Sequence, residues 1–349
     1  MPPEWHAREA TWMAWPKESD VWSGGIAEVE AAFLKMIEVL SADEVVHLLV
    51  DDAAARRRAS GLLRDSDADA SKVLFHEVVT RDVWVRDYGP NFLIGTEKAR
   101  PAKAWNHWRF NAWGNKYPEL LPDGEVNAHL AKALPETCFK PGVVLEGGSI
   151  DVDGEGLCLT TEQCLLHPNR NGGWTKEQWE ECLRDYLGVA GVLWLKGGIA
   201  GDDTDGHVDD VARFAGPGLV VAAVEDDPED DNHLVLTENR LRLGAAKDGV
   251  GRELDMITVP MPEPLFDVDR RLPASYLNFY IAPKAVLVPV FGCRQDVKAL
   301  STLGSVFRGR KMVGIDARVL VRGMGAVHCV THEEPSVSAE SPTAGKGKG

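Results

Sequence analysis

Positive charge is the scarcer sign in this 349-residue chain, with 38 Lys and Arg against 54 Asp and Glu and a formal net charge of −16. That deficit argues against nucleic acid or an anionic membrane as a partner and suits capture of a cationic small molecule, although acidity also simply keeps many proteins dissolved. No run of about 18 apolar residues occurs. The opening "MPPEWHAREATWMAWP" lacks a basic segment followed by an apolar one. The expectation is a cytoplasmic chain. Cysteine is sparse and scattered, six residues with no CxxC pair, which excludes a disulfide scaffold as the organising device. Cys138, Cys158, Cys164, Cys182 and Cys293 read as small core residues. The nucleotide and metalloprotease signatures are missing as well. "GMGAVH" has His328 where GxGxxG needs its last glycine, and neither GxxxxGK[ST] nor HExxH is present.

What is present is ordinary globular material, 44% apolar and 26% charged, long enough for one large domain or two. "IAEVEAAFLKMIEVLSA" (26–42) has helical spacing, and "TKEQWEECLRDYLG" (175–188) opens on a Thr175/Gln178 capping box and closes on Gly188. Strand-like runs such as "EVVHLLV", "GLVVAAV" and "AVLVPVF" lie between helices, so the class is α/β or α+β. A polar cluster precedes a strand pair five times. One residue from each, Asp87, Glu146, His207, Tyr276 and Cys329, gives separations of 59, 61, 69 and 53 positions. Five units of roughly 60 residues would fill the chain, and in a closed ring the clusters would meet near its axis. From 336 to 349, "SVSAESPTAGKGKG" reads as a disordered tail.

Several stretches invite chemistry. In "DDTDGHVDD", a strand starting at His207 would put Asp209 on the same face, although a solvated acidic turn explains Asp202 and Asp205 equally well. "RDVWVRDYGP" ends a strand pattern at Arg86 and Asp87, with Trp84 able to cover a planar cation; a surface ion pair in a turn is the plain alternative. "VVLEGGSID" places Glu146 behind three apolar residues, where a buried carboxylate needs a partner or a function. Asp151, Asp153, Glu155, Gly156 and Glu162 match EF-hand loop positions, but β-rich flanks and a DG turn argue for a hairpin instead. Zinc on His328, Cys329 and His332 fits by ligand type, without a second Cys or His pair at finger spacing.

Together, Cys329, His207, Asp87, Asp209 and Glu146 make a site of one thiol, one imidazole and several carboxylates. Such negative charge opposes an oxyanion and favours a cation, and the planar forked guanidinium matches carboxylates bidentately. The carboxylates would grip the guanidinium while the Cys329 thiolate attacks its central carbon, with His207 moving protons. Carboxylates raise a thiol's pKa, and a bound cation offsets that, so ionisation of Cys329 would be assisted by the substrate.

The ordered motifs "PPEWHAREATWMAWP", "VWVRDYGP", "FNAWGNKYP", "LEGGSID", "GDDTDGHVDD" and "GMGAVHCVT" resemble the agmatine deiminase family, which includes peptidylarginine deiminase-like proteins, over residues 2 to 335. The resemblance implies an α/β pentein fold, a five-bladed propeller with pseudo-fivefold symmetry, as a single catalytic domain over 1–335. It implies Cys329 as nucleophile, His207 as acid and base, and Asp87 and Asp209 as guanidinium ligands with Glu146 as a third candidate. It also implies Trp84 along the substrate chain, and neither cofactor nor metal. The acidic residue four before the catalytic histidine reads the distal amine in that family; here it is Asp203 rather than the usual Glu. "RGMGAVHC" likewise stands where three glycines are usual. The expected reaction is deimination of agmatine, with arginine or peptidylarginine deimination and amidino transfer as alternatives. A homo-oligomer is left open.

Overall fold

The computed structural model describes residues 1–19, 22, 25–95, 102–248 and 251–337. Among the described residues, besides a two-stranded ribbon of Phe266–Asp267 and Arg270–Arg271, the strands form five sheets that begin alike: an antiparallel pair, then a third strand parallel to the second. They are Asn91–Ile94, Lys103–Asn106 and Thr137–Phe139; Asp151–Val152, Leu157–Thr161 and Gly191–Leu195; Ala212–Gly216, Leu219–Val224 and Asp255–Pro260; and Tyr280–Ile281, Ala285–Val290 and Lys311–Asp316. The remaining sheet joins the two ends of the described chain, because His332–Pro335 runs antiparallel to Arg8–Ala14, followed in parallel by Val45–Val50 and Val73–Glu77. A parallel neighbour cannot be reached by a tight turn. Each parallel step is accordingly bridged by a helix: Ile26–Ser41, Ala53–Arg64, Val126–Leu130, Lys176–Leu187, Asn232–Ala245 and Gln295–Val306.

Local chemistry explains these elements. Ile26–Ser41 buries Val29, Phe33, Met36, Ile37 and Leu40, the i, i+4, i+7, i+8, i+11 face that the spacing predicts. Lys176–Leu187 carries the Thr175/Gln178 capping box and ends on Gly188 at φ 73°, a left-handed position suited to glycine. The acidic "DVDGEG" stretch is a hairpin turn, with Gly154 at φ 71° and Asp153 Oδ1 accepting the N–H groups of Glu155 and Leu157, each at 2.8 Å. The α/β class is correct. Among the described residues no single sheet closes on itself.

Most apolar side chains share one core, and Trp179, Leu183, Cys158, Cys164 and Cys182 belong to a second. Cys138 and Cys293 are only half-buried, so the expectation that all five were core residues holds for three. Among the described residues no helix is long and apolar enough to cross a membrane. The tail expected from 336 lies almost wholly outside the described residues; Ser336 itself is buried and donates its N–H to Ala7 O at 2.8 Å.

Candidate active site

Three of the expected strand positions are tight turns instead. Val85–Tyr88 is a single helical turn that begins after Trp84, Val208–Asp210 is a 3-10 turn after His207, and residues 327–330 form turns before the strand at His332. Side-chain to backbone bonds override strand propensity here. Asp202 Oδ2 accepts the N–H groups of Gly206 and His207, each at 3.0 Å, while Thr204 Oγ1 accepts that of His207 at 3.1 Å.

Those turns bring their side chains together around Gly148. A Cβ at that glycine would lie 2.6 Å from His207 Nδ1, 3.0 Å from Asp209 Oδ2 and 3.1 Å from Asp87 Oδ1. Asp87 is buried; its Oδ1 accepts from Gly148 N at 3.0 Å and lies 3.8 Å from His207 Nδ1, and its Oδ2 accepts from the Trp113 indole at 2.9 Å. Asp209 Oδ2 is 3.9 Å from Cys329 Sγ, and Asp209 Oδ1 is buried without a protein partner. Asn278 Nδ2 reaches Cys329 Sγ at 3.2 Å. Asn278 thus represents its cluster at the site, and Tyr276 does not, because its hydroxyl donates instead to Asp296 at 2.6 Å.

His328 faces the site. Its Nδ1 is 2.7 Å from Asp209 Oδ2 and its Nε2 is 2.7 Å from Glu4 Oε2, so both ring nitrogens are engaged within the protein and unavailable to zinc. Glu4 also pairs with Arg213 at 2.7 Å, and Arg86 pairs with Glu333 at 2.8 Å. This buried network supports Asp209 from behind. Glu146 is fully buried and bonded through Oε1 to Arg170 Nε at 3.0 Å. Its Oε2 and His207 Nε2 have no hydrogen-bond partner, and ligand atoms of Glu146, Cys164 and His207 all fall within 4.8 Å of one another. It is the one group with metal-ligand spacing among the described residues, but the Arg170 guanidinium beside Glu146 opposes a cation there.

A cavity of about 1010 Å³ opens onto this cluster, with Trp84, Asp87, Trp113, Tyr117, Asp203 and Cys329 among its lining. His207, Asp209 and Glu146 lie behind that lining. Asp203 receives the Tyr117 hydroxyl, and Lys116 Nζ bonds its carbonyl at 2.6 Å. The glycines before Cys329 have a steric reason: a Cβ at Gly323 would lie 2.3 Å from the Trp22 ring, and one at Gly325 would lie 2.6 Å from the Trp84 ring. Met324 between them holds φ 74°, a left-handed conformation that glycine adopts more easily.

Burial pushes the Asp87 carboxyl up to about 7, with Glu146 adding to the effect. Burial and Asp87 hold Asp209 well above the carboxylate range, while burial drives His207 well below the usual imidazole value. The Cys329 thiol is raised well above its ordinary value by burial, then by Asp209, Asp210 and Asp87. Every group therefore favours its neutral form. A cation placed among them reverses the carboxylate and thiol shifts together.

The Porphyromonas-type peptidyl-arginine deiminase model matches residues 1–335. The chain belongs to this family. An agmatine deiminase from Medicago truncatula is 33% identical over 367 residues, covering 97% of this chain and 96% of the relative. A variant of C. jejuni agmatine deiminase solved with substrate bound superposes with a TM-score of 0.84 at 32% identity, covering 96% and 95% of the two chains. The Enterococcus faecalis agmatine deiminase gives 0.86 at 31%, covering 97% and 96%. Sequence reasoning does not reach Asn278, Glu4, Arg170 and Trp113, and it offers His328 only as a zinc ligand, not as the partner of Asp209. "FNAWGNKYP" was a visible signal for Trp113, but Glu4 and Arg170 carry none that local reading can use.

Proposed function

We propose that the protein is an agmatine deiminase, converting agmatine and water to N-carbamoylputrescine and ammonia. The observation that carries this reading is the meeting of Cys329, Asp87, Asp209 and His207 at the inner end of a cavity walled by Trp84. In this reading Asp87 and Asp209 hold the guanidinium and ionise as it enters. The Cys329 thiol gives its proton to His207 and its sulfur bonds to the guanidinium carbon, forming a tetrahedral adduct. His207 returns the proton to a terminal nitrogen, which leaves as ammonia and breaks its C–N bond. The amidino-thioether that remains is attacked by water, with His207 taking a proton from it. Cleavage of the C–S bond then frees the ureido product, the thiol is reprotonated, and the net proton leaves as ammonium.

Trp84 covers the substrate chain and Asp203 attracts the distal amine. Glu146, already held by Arg170 and with a carboxylate oxygen within 4.8 Å of a His207 ring nitrogen, acts on the imidazole through its charge; it does not grip substrate. No step calls on a cofactor. We further propose that the five sheets are blades of a propeller whose axis carries the site, and that residues 1–335 work as one catalytic unit; the shared design of the sheets and the pairing of the last described strand with the first support both. Arg81, Arg270 and Arg322 also line the cavity and would suit a substrate carboxylate, which favours arginine as the second reading.

Ammonia and ureido product should form from agmatine in preference to free arginine and an arginine peptide. Product from the peptide alone would reject the proposal, and amidino transfer to an added amine without ammonia release would replace it.

A further inference from the structure

We propose that Asp82 is the second carboxylate of the distal-amine subsite, binding the ammonium end of the substrate from the opposite end of the Trp84 segment to Asp87. The inference rests on the agmatine reading above. Asp82 lines the same cavity as Asp87, Trp84 and Cys329, and it stands two residues before Trp84, where Asp87 stands three after. A substrate lying along the Trp84 ring with its guanidinium at Asp87 therefore shares its cavity with a second carboxylate of the same segment.

The loop under Asp82 is firmly held. Asp123, itself buried, accepts the backbone N–H of Arg81 and, at 3.0 Å, that of Asp82. Asp82 Oδ1 takes the N–H of Val83 at 2.8 Å, and Tyr88 donates its hydroxyl to the Asp82 carbonyl at 2.8 Å. The donors on the carboxylate are the Val83 N–H and the indoles of Trp84 and Trp22, all of them neutral. Lys17, which acts on it electrostatically, is paired with Asp51. Burial pushes the carboxyl up to about 6, and those neutral bonds offset this only in part. A carboxylate in that setting gains from an ammonium group. Asp203, on the same cavity wall as Tyr117, has its Oδ2 occupied by the Tyr117 hydroxyl, and Lys116 holds its backbone carbonyl and pairs with Asp205.

Because Asp82 also anchors the Trp84 indole, the test separates reading the amine from merely holding the ring. Agmatine is compared with butylguanidine, which has the same four-carbon chain without the amine, in wild type, Asp82→Asn and Asp82→Glu. Amine recognition predicts that Asp82→Asn lowers the agmatine-to-butylguanidine ratio of kcat/KM by about 10- to 100-fold, the range for loss of a charge-assisted bond, mainly through agmatine KM. Asp82→Glu should recover part of that ratio. Equal losses on both substrates would reduce Asp82 to a support for Trp84 and overturn the inference. If Asp82→Asn does not fold, Asp82→Glu carries the decision, because a displaced carboxylate must change the ratio while a ring support must not. A wild type that turns over agmatine with an unaltered ratio in the variants sinks this inference alone; one that ignores agmatine sinks the deiminase reading beneath it as well.

Discussion

Acid should expel the substrate from this site, by an amount that Asp87 determines. Its carboxyl titrates near about 7, and the ionised form is the one that accepts a guanidinium. The guanidinium itself stays charged throughout, with a pKa above about 12. Because the folded pKa is raised, the protonated form prevails below about 7, and binding weakens as pH falls through that value. Each unit below it costs close to tenfold, about 1.4 kcal/mol, so moving from pH 8 to pH 5 should raise the Kd for agmatine roughly 90-fold. Asp209, also held high, steepens the slope in the same direction. The measurement uses Cys329→Ala, which is expected to bind agmatine without releasing ammonia, by calorimetry in two buffers of different ionisation enthalpy. At pH 6 about 0.9 proton should leave Asp87 per agmatine bound, with any from Asp209 in addition. A Kd constant within threefold from pH 8 to 5, or binding without proton release, would refute the argument that a neutral carboxyl must ionise to receive the cation. Ammonia released by Cys329→Ala would remove Cys329 from the chemistry.

Gly148→Ala should fold, as judged by circular dichroism, yet lose about 100-fold in kcat, because its Cβ would press to 2.6 Å from His207 Nδ1 and displacements approaching 1 Å carry that penalty; full activity would show that the three side chains can move apart freely. Asp87→Asn should abolish deimination while stabilising the fold. Keeping Asp87 ionised in the native state costs about 4 kcal/mol relative to its usual value of 3.8, so wild-type stability is drained between about pH 4 and 7 as pH rises. Urea denaturation at pH 8 should show a gain of about 1–3 kcal/mol for the variant, and a loss would mean that the Trp113 and Gly148 bonds outweigh the charge.

Much of this protein is legible along the chain because it depends on local order. The face of Ile26–Ser41, the capping box at Thr175, the hairpin at Gly154 and the regular return of polar clusters each follow from neighbours a few residues apart. The candidacy of Cys329, His207, Asp87 and Asp209 also belongs to this level, since a thiol, an imidazole and carboxylates at corresponding points of successive units suit a cationic substrate. Packing alone decided how those groups are held. Val85–Tyr88 and Val208–Asp210 are turns and not strands because side-chain oxygens and adjacent segments satisfy their backbone bonds. Glu4 reaches His328 across 324 positions, Asn278 takes the place that spacing gave to Tyr276, and Arg170 claims Glu146. Burial of the whole cluster then moves its carboxyl, thiol and imidazole groups toward neutrality. A sequence determines which groups are available; the low-dielectric interior, assembled from distant segments, determines their partners and their charge.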